Sequence, residues 1–267
     1  PALSEASAPE KRDDFIRILS SSARHIILWS IVALGLIVVL RAHIVRIVLG
    51  TGAFDWNATR LTAALLAVLA VGLVAQGLAI LFSRALYAAR QSWRPLFYQL
   101  AAGALTVLLT VMFLIEGKDG LPSWLALFLR VGDVHGNGVL LLALSITLGQ
   151  IFLVILSIFA LRNIVPGLAH MLARPCMDGC IAAIAGGVAA YGVLALEGGI
   201  APLTTLMSVF TQGLVAGIVG LAASGVALFI IENEEFRIVT NALTRLVRLP
   251  SERSAVLAPS AEEPTKP

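Results

Sequence analysis

Charge is scarce in this chain. Lys, Arg, Asp and Glu make up 13% of its 267 residues, about half the ~25% of a soluble domain. With 58% hydrophobic residues it cannot clothe a water-facing surface, so lipid is the solvent for most of it. Cysteine is nearly absent. Cys176 and Cys180, the two present, exclude a disulfide scaffold and fall short of the ligand set of a structural metal. His25, His43, His135 and His170 are scattered along the chain and gather into no ligand or catalytic cluster. A Gly-rich phosphate loop, a nucleophile triad and paired carboxylates are all missing, so nothing reads as an enzyme and no cofactor is expected. Alternation with period two is missing as well; continuous apolar runs exclude a membrane β-barrel. The net charge of +3 belongs to the connections and implies no nucleic-acid partner.

What is present is six long apolar stretches, roughly 25–40, 61–83, 95–115, 136–161, 179–196 and 205–231. A hydrocarbon core about 30 Å thick needs about 20 residues of helix, and five of the six reach or nearly reach that length. The first is short, and its expected remedy is Arg41 reaching to the interface or a thinned bilayer. The sequence therefore predicts an all-α polytopic membrane protein with six transmembrane helices.

The basic residues fix an orientation. Arg41, Arg46, Arg60, Lys118 and Arg130 fall on one side of the implied membrane, and the other fourteen of the 19 Lys and Arg on the side of the two ends. The positive-inside rule then predicts that both ends are cytoplasmic.

Residues 1–24 are polar, with Phe15, Ile16, Ile18 and Leu19 set among Lys11, Arg12, Asp13, Asp14 and Arg17. They predict an interfacial helix leading into the first span. Pro1 stands where a translated chain has Met and no signal-peptide layout follows, so the chain is expected to be the C-terminal part of something longer. After the first span, Gly50 and Gly52 suit an exit turn and Asp55 or Asn57 can cap the next helix. A basic turn (83–95) ends in Pro95. Asn57-Ala58-Thr59 matches a glycosylation sequon, to which no role is given. In 232–249, Phe236, Val239, Leu243 and Leu246 with Arg237, Arg245 and Arg248 predict an interfacial helix on an anionic leaflet. The Pro-rich tail 250–267 is expected to be disordered.

Taken in order, Pro-x-Leu-Ser at the start, the Phe15-centred amphipathic segment, Gly-x-Gly-Ala-Phe-x-x-x-x-Thr (50–59), Gly-Leu-x-Ala-Gln-Gly-Leu (72–78) and Arg-Ala-x-Tyr-Ala (84–88) resemble the MurJ/MviN lipid II flippases. These belong to the multidrug/oligosaccharidyl-lipid/polysaccharide exporter superfamily. The resemblance is specific over 1–95, topological over 96–165 and weak beyond. It implies that the six spans correspond to spans 9–14 of a fourteen-span flippase: four of the C-terminal lobe (25–165) and two additional helices (166–231). It further implies a bacterial inner membrane, an undecaprenyl-pyrophosphate-linked substrate (lipid II), and an N-terminal lobe of the same protein carrying the central cationic cavity. Alternatives are a polysaccharide-lipid flippase or drug antiporter of the same superfamily, or a non-transporting scaffold for cell-wall synthesis.

Several residues are candidates for function. Arg84, Arg90 and Arg94 either set topology or touch the substrate pyrophosphate at the cytoplasmic gate. Gln76, Thr106, Thr110 and Gln150, with Thr147, Thr211 and Gln212, are polar at depth. Interhelical hydrogen bonds account for them at about 0.6–2 kcal/mol each; alternatively Thr106, Thr110 and Gln150 face the lobe interior and help bind a coupling cation, whose identity is open. Relatives place Asn and Asp where this chain has Thr106 and Thr110, a departure that counts against cation coupling. Ala182, Gly186 and Ala190, and Gly213, Gly217, Gly220 and Ser224, form small-residue stripes that either let two helices approach closely or border a groove for the lipid tail. No ionisable residue is expected in the central turns of any span.

Overall fold

In the computed structural model the described residues are 12–50, 55–116, 127–134, 136–198 and 206–248. The opening tetrapeptide, Gly52, Lys118, His135 and the tail 250–267 lie outside them. The described residues form seven long helices: α1 (Arg12–Leu49), α2 (Trp56–Ala88), α3 (Trp93–Glu116), α4 (Val139–Leu161), α5 (Leu168–Glu197), α6 (Leu206–Ile230) and α7 (Glu234–Arg248). The first six are long and apolar enough to cross a membrane. Successive spans run antiparallel, so the start of α1, the end of α6 and α7 share one end of the bundle, here the proximal end. The ends of α1, α3 and α5 and the starts of α2, α4 and α6 share the distal end.

The first span differs from its sequence reading. Where 1–24 suggests a separate interfacial segment before a short span at 25–40, α1 is one 38-residue helix, about 57 Å long at 1.5 Å per residue. Nothing between Arg12 and Leu49 interrupts it: no Pro, and one Gly (Gly35), with Asp13 and Asp14 in the first turn complementing the helix dipole. Phe15, Leu19 and Ala23 are at most 3% exposed and form a core with Phe82, Ala85 and Leu86 of α2, Leu161 of α4 and Leu168 of α5. This apolar face therefore meets protein rather than lipid.

Helix α1 is the hub. It packs along α2 on one side and along α5 and α6 on the other; α4 lies against α2, and α3 lies mainly on α4. Small residues set these approaches. A Cβ on Gly35 would stand 2.8 Å from Cβ of Ala183, one on Gly72 3.2 Å from Oγ1 of Thr147, and one on Gly149 2.0 Å from Oγ1 of Thr106. Thr147 donates across the α2–α4 interface to the Val68 carbonyl at 3.1 Å. Ser224 of α6 donates to the Ala182 carbonyl of α5 at 2.9 Å. Such crossings are how helices gain packing energy where lipid supplies no hydrophobic drive. Helix α1 stops at Gly50, whose N–H still bonds to the Arg46 carbonyl at 2.9 Å in a backbone turn where a Cβ would strike that carbonyl. Asp55 caps α2, its Oδ1 accepting from the Ala58 N–H at 2.7 Å.

Candidate functional site

The distal end holds a cavity of about 520 Å³, lined by Arg41 and His43 of α1, Trp56 and Arg60 of α2, Leu129 and Arg130 of the segment before α4, Tyr191 of α5 and Gly198, which caps α5. Three guanidinium-bearing residues thus reach one space from three parts of the chain. Arg60 is committed. It gives Asp133 two hydrogen bonds, 2.7 Å and 2.6 Å, and a third to the Arg130 carbonyl. Those bonds hold the Asp133 carboxyl below its usual range. Arg41 and Arg130 have no carboxylate within ion-pair distance among the described residues. Arg130 stands at φ 58°, a left-handed conformation that costs a residue with a Cβ about 1–2 kcal/mol. Beside the cavity, Arg46 lies over the Trp56 ring at 5.9 Å.

At the back of the cavity His43 is 6% exposed. Its Nε2 stands 3.1 Å from Oε1 of Gln212 in α6. Gln212 donates from its own Nε2 to the Gly198 carbonyl at 2.8 Å, which turns Oε1 toward the imidazole and makes His43 Nε2 the donor. Nδ1 is then buried with no hydrogen-bond partner among the described residues. This chain joins α1, α6 and the end of α5.

The proximal end is built differently. Asn233 caps α7, accepting from the Phe236 N–H at 3.0 Å, and donates to Oδ2 of Asp178 in α5 at 2.8 Å. Glu235, 4% exposed, has one oxygen 2.9 Å from Nε of Arg24 and the other 2.8 Å from Nδ1 of His25. Phe236 packs against Trp29, ring centroids 6.4 Å apart. The start of α7 is therefore docked on α1 and α5; side chains beyond Asn241, including Leu243 and Leu246, lie outside the described ones.

The residues singled out in the sequence are distributed as follows. Arg84, Arg90 and Arg94 are all exposed at the proximal end, Arg90 at φ 60° in the α2–α3 turn, and no carboxylate among the described residues pairs with them. Gln76 is exposed on α2. Thr106 donates to its own helix, to the Ala102 carbonyl at 2.9 Å. Thr110 lines a cavity of about 100 Å³ with Phe113, Gly138 and Leu141, a space that neither Thr106 nor Gln150 lines; Gln150 is half-buried. Gly213, Gly217 and Gly220 lie against α1: added Cβ atoms would meet His43 at 3.2 Å, Leu40 at 3.4 Å and Leu36 at 2.7 Å. Cys176 and Cys180 are free and exposed.

Two features escaped the sequence reading. The apolar runs put Arg41 and His43 at a span end, yet α1 continues past both to Leu49. They put Asp178 just before the fifth span, yet α5 begins at Leu168 and buries it at 7% exposed. Ionisable residues thus lie within these longer helices, Arg41 and His43 in the last turns of α1 rather than its central ones. The missed signal was the lack of any Pro or Gly from Leu36 to Leu49.

Six apolar helices that cross and recross the bilayer define a multi-pass membrane protein. Residues 1–192 match the family model described as lipid II flippase MurJ, and the chain belongs to that family. The match runs through α1 to α4 and nearly to the end of α5. Comparison with curated proteins and with solved structures yields no match.

Proposed function

We propose that this chain works as a lobe of a lipid II flippase, carrying the lipid-linked peptidoglycan precursor across the bacterial inner membrane by alternating access. The observation that carries the reading is the family match over 192 of the 267 residues. The charge distribution supports it, with both ends of the chain on the cytoplasmic side. One face of α2 supports it too. Leu73, Gln76, Ile80, Arg84 and Tyr87 are all exposed along it, and Gln76 at depth in line with Arg84 suits the wall of a hydrated path. In this reading Arg84, Arg90 and Arg94 meet the pyrophosphate at the cytoplasmic mouth, the large anionic headgroup being too costly to move through bare hydrocarbon. The lobe moves substrate and makes or breaks no covalent bond.

Depletion of the protein in its own cells tests this. Lipid II should accumulate in the cytoplasmic leaflet while its synthesis continues. A capsule or drug-sensitivity phenotype with normal lipid II exposure would instead assign the chain another cargo, and mislocalised cell-wall proteins with normal exposure a scaffolding role.

A further inference from the structure

We propose that the distal cavity between α1, α2 and α5 is an anion site for a phosphate-bearing group, with Arg41 and Arg130 as its principal ligands. The inference stands on this chain's own residues and does not need the flippase reading. Three cationic side chains line the space, Arg41, Arg60 and Arg130. Among the described residues one carboxylate, Asp133, compensates one of them. Two charges are left over, which matches a phosphate or pyrophosphate and over-matches a single carboxylate. Guanidinium forks suit phosphate oxygens, giving paired charge-assisted hydrogen bonds. The volume of about 520 Å³ falls inside the ~300–1,000 Å³ range of small-molecule sites. It leaves room for what the phosphate is attached to, with Trp56 and Tyr191 as flanking aromatic surfaces.

Two further observations point to a ligand. The buried His43 lines the cavity with Nδ1 unpartnered among the described residues, an orphan acceptor that an O–H of a phosphate-bearing group can satisfy. Arg130 is held at φ 58° where Gly would sit without strain, and such strain concentrates at binding sites.

The probe is inorganic pyrophosphate, titrated calorimetrically into the full-length protein in phosphatidylcholine nanodiscs. Saturable one-site binding is expected, weakened at least tenfold in Arg41→Gln and in Arg130→Gln and unchanged in Arg162→Gln, which alters an exposed arginine at the proximal end. Should either variant fail to fold, wild-type protein supplies the same answer: pyrophosphate should protect Arg41 and Arg130, but not Arg162, from dicarbonyl modification read by mass spectrometry. Discs containing phosphatidylglycerol at constant ionic strength separate the sources. Competition with pyrophosphate identifies a lipid headgroup as occupant, and lack of competition a free phosphate compound. Absence of saturable binding, equal binding by the folded variants, or no arginine protection would overturn the proposal.

Discussion

At the scale of single residues, close approach decides most outcomes. A Cβ on Gly186 would stand 2.0 Å from Oγ of Ser224 and 2.6 Å from the Gly220 carbonyl, while one on Gly192 meets nothing within 4 Å. The second contact is backbone, so α5 and α6 must separate. Gly186→Ala should therefore lower stability by about 1–3 kcal/mol, whereas Gly192→Ala should be near neutral; thermal unfolding in detergent distinguishes them. Asp133 gives a pH prediction. Its carboxyl is held below the usual range first by the hydrogen bonds from Arg60, and unfolding returns it to about 3.9. The pair's stabilisation is thus whole above about pH 4 and lost as pH falls through the lower folded value. Wild type should lose more stability than Asp133→Asn on acidification below about pH 4, and matching acid titration curves would refute this.

At the scale of elements, the six spans were legible because each is a continuous apolar run. Of the small-residue stripes, Ala182, Gly186 and Ala190 face Gly220 and Ser224 where α5 and α6 meet, while Gly213 and Gly217 turn toward α1. The length of α1 was not. Its first turns mix Phe15 and Leu19 with Asp13, Asp14 and Arg17, a pattern that fits an interfacial helix and a docked one equally well. What separates the two is the partner surface, Phe82 and Leu86 of α2 and Leu161 of α4, which lies far away in sequence. For the same reason the anchorage of α7 depends on residues about 200 positions apart. Glu235 is 4% exposed, while the Arg24 side chain facing it is 38% exposed. Arg24→Ala leaves a buried carboxylate with His25 as its remaining partner; Glu235→Gln leaves a guanidinium whose Nε is buried but whose side chain water still reaches in part. The first should therefore cost more, about 1–3 kcal/mol, and should speed proteolysis within α7. Equal protection of α7 in both variants would contradict this docking.

At the scale of the whole molecule, the bundle presents two unlike ends. The proximal end carries exposed Arg84, Arg90 and Arg94 and the docked helix α7; the distal end gathers Arg41, Arg60 and Arg130 around one cavity. No local pattern could show the latter, because residues 41, 60, 130 and 191 come together only when α1 serves as hub for both halves of the bundle. Neutralising the proximal cluster tests its assigned part. Arg84→Gln with Arg90→Gln should reduce lipid II transport about tenfold or more with insertion unchanged, whereas a topology role alone would instead invert or disorder the spans, which cysteine labelling from either side reveals.

The most direct measurement is transport itself. Full-length protein is placed in vesicles whose inner leaflet carries lipid II, and exposure of the headgroup is followed with a hydrolase added outside. Exposure at least tenfold faster than in protein-free vesicles, sensitive to Arg84→Gln, is what a flippase lobe of this family predicts. Exposure no faster than in protein-free vesicles, with the protein correctly inserted, would contradict it.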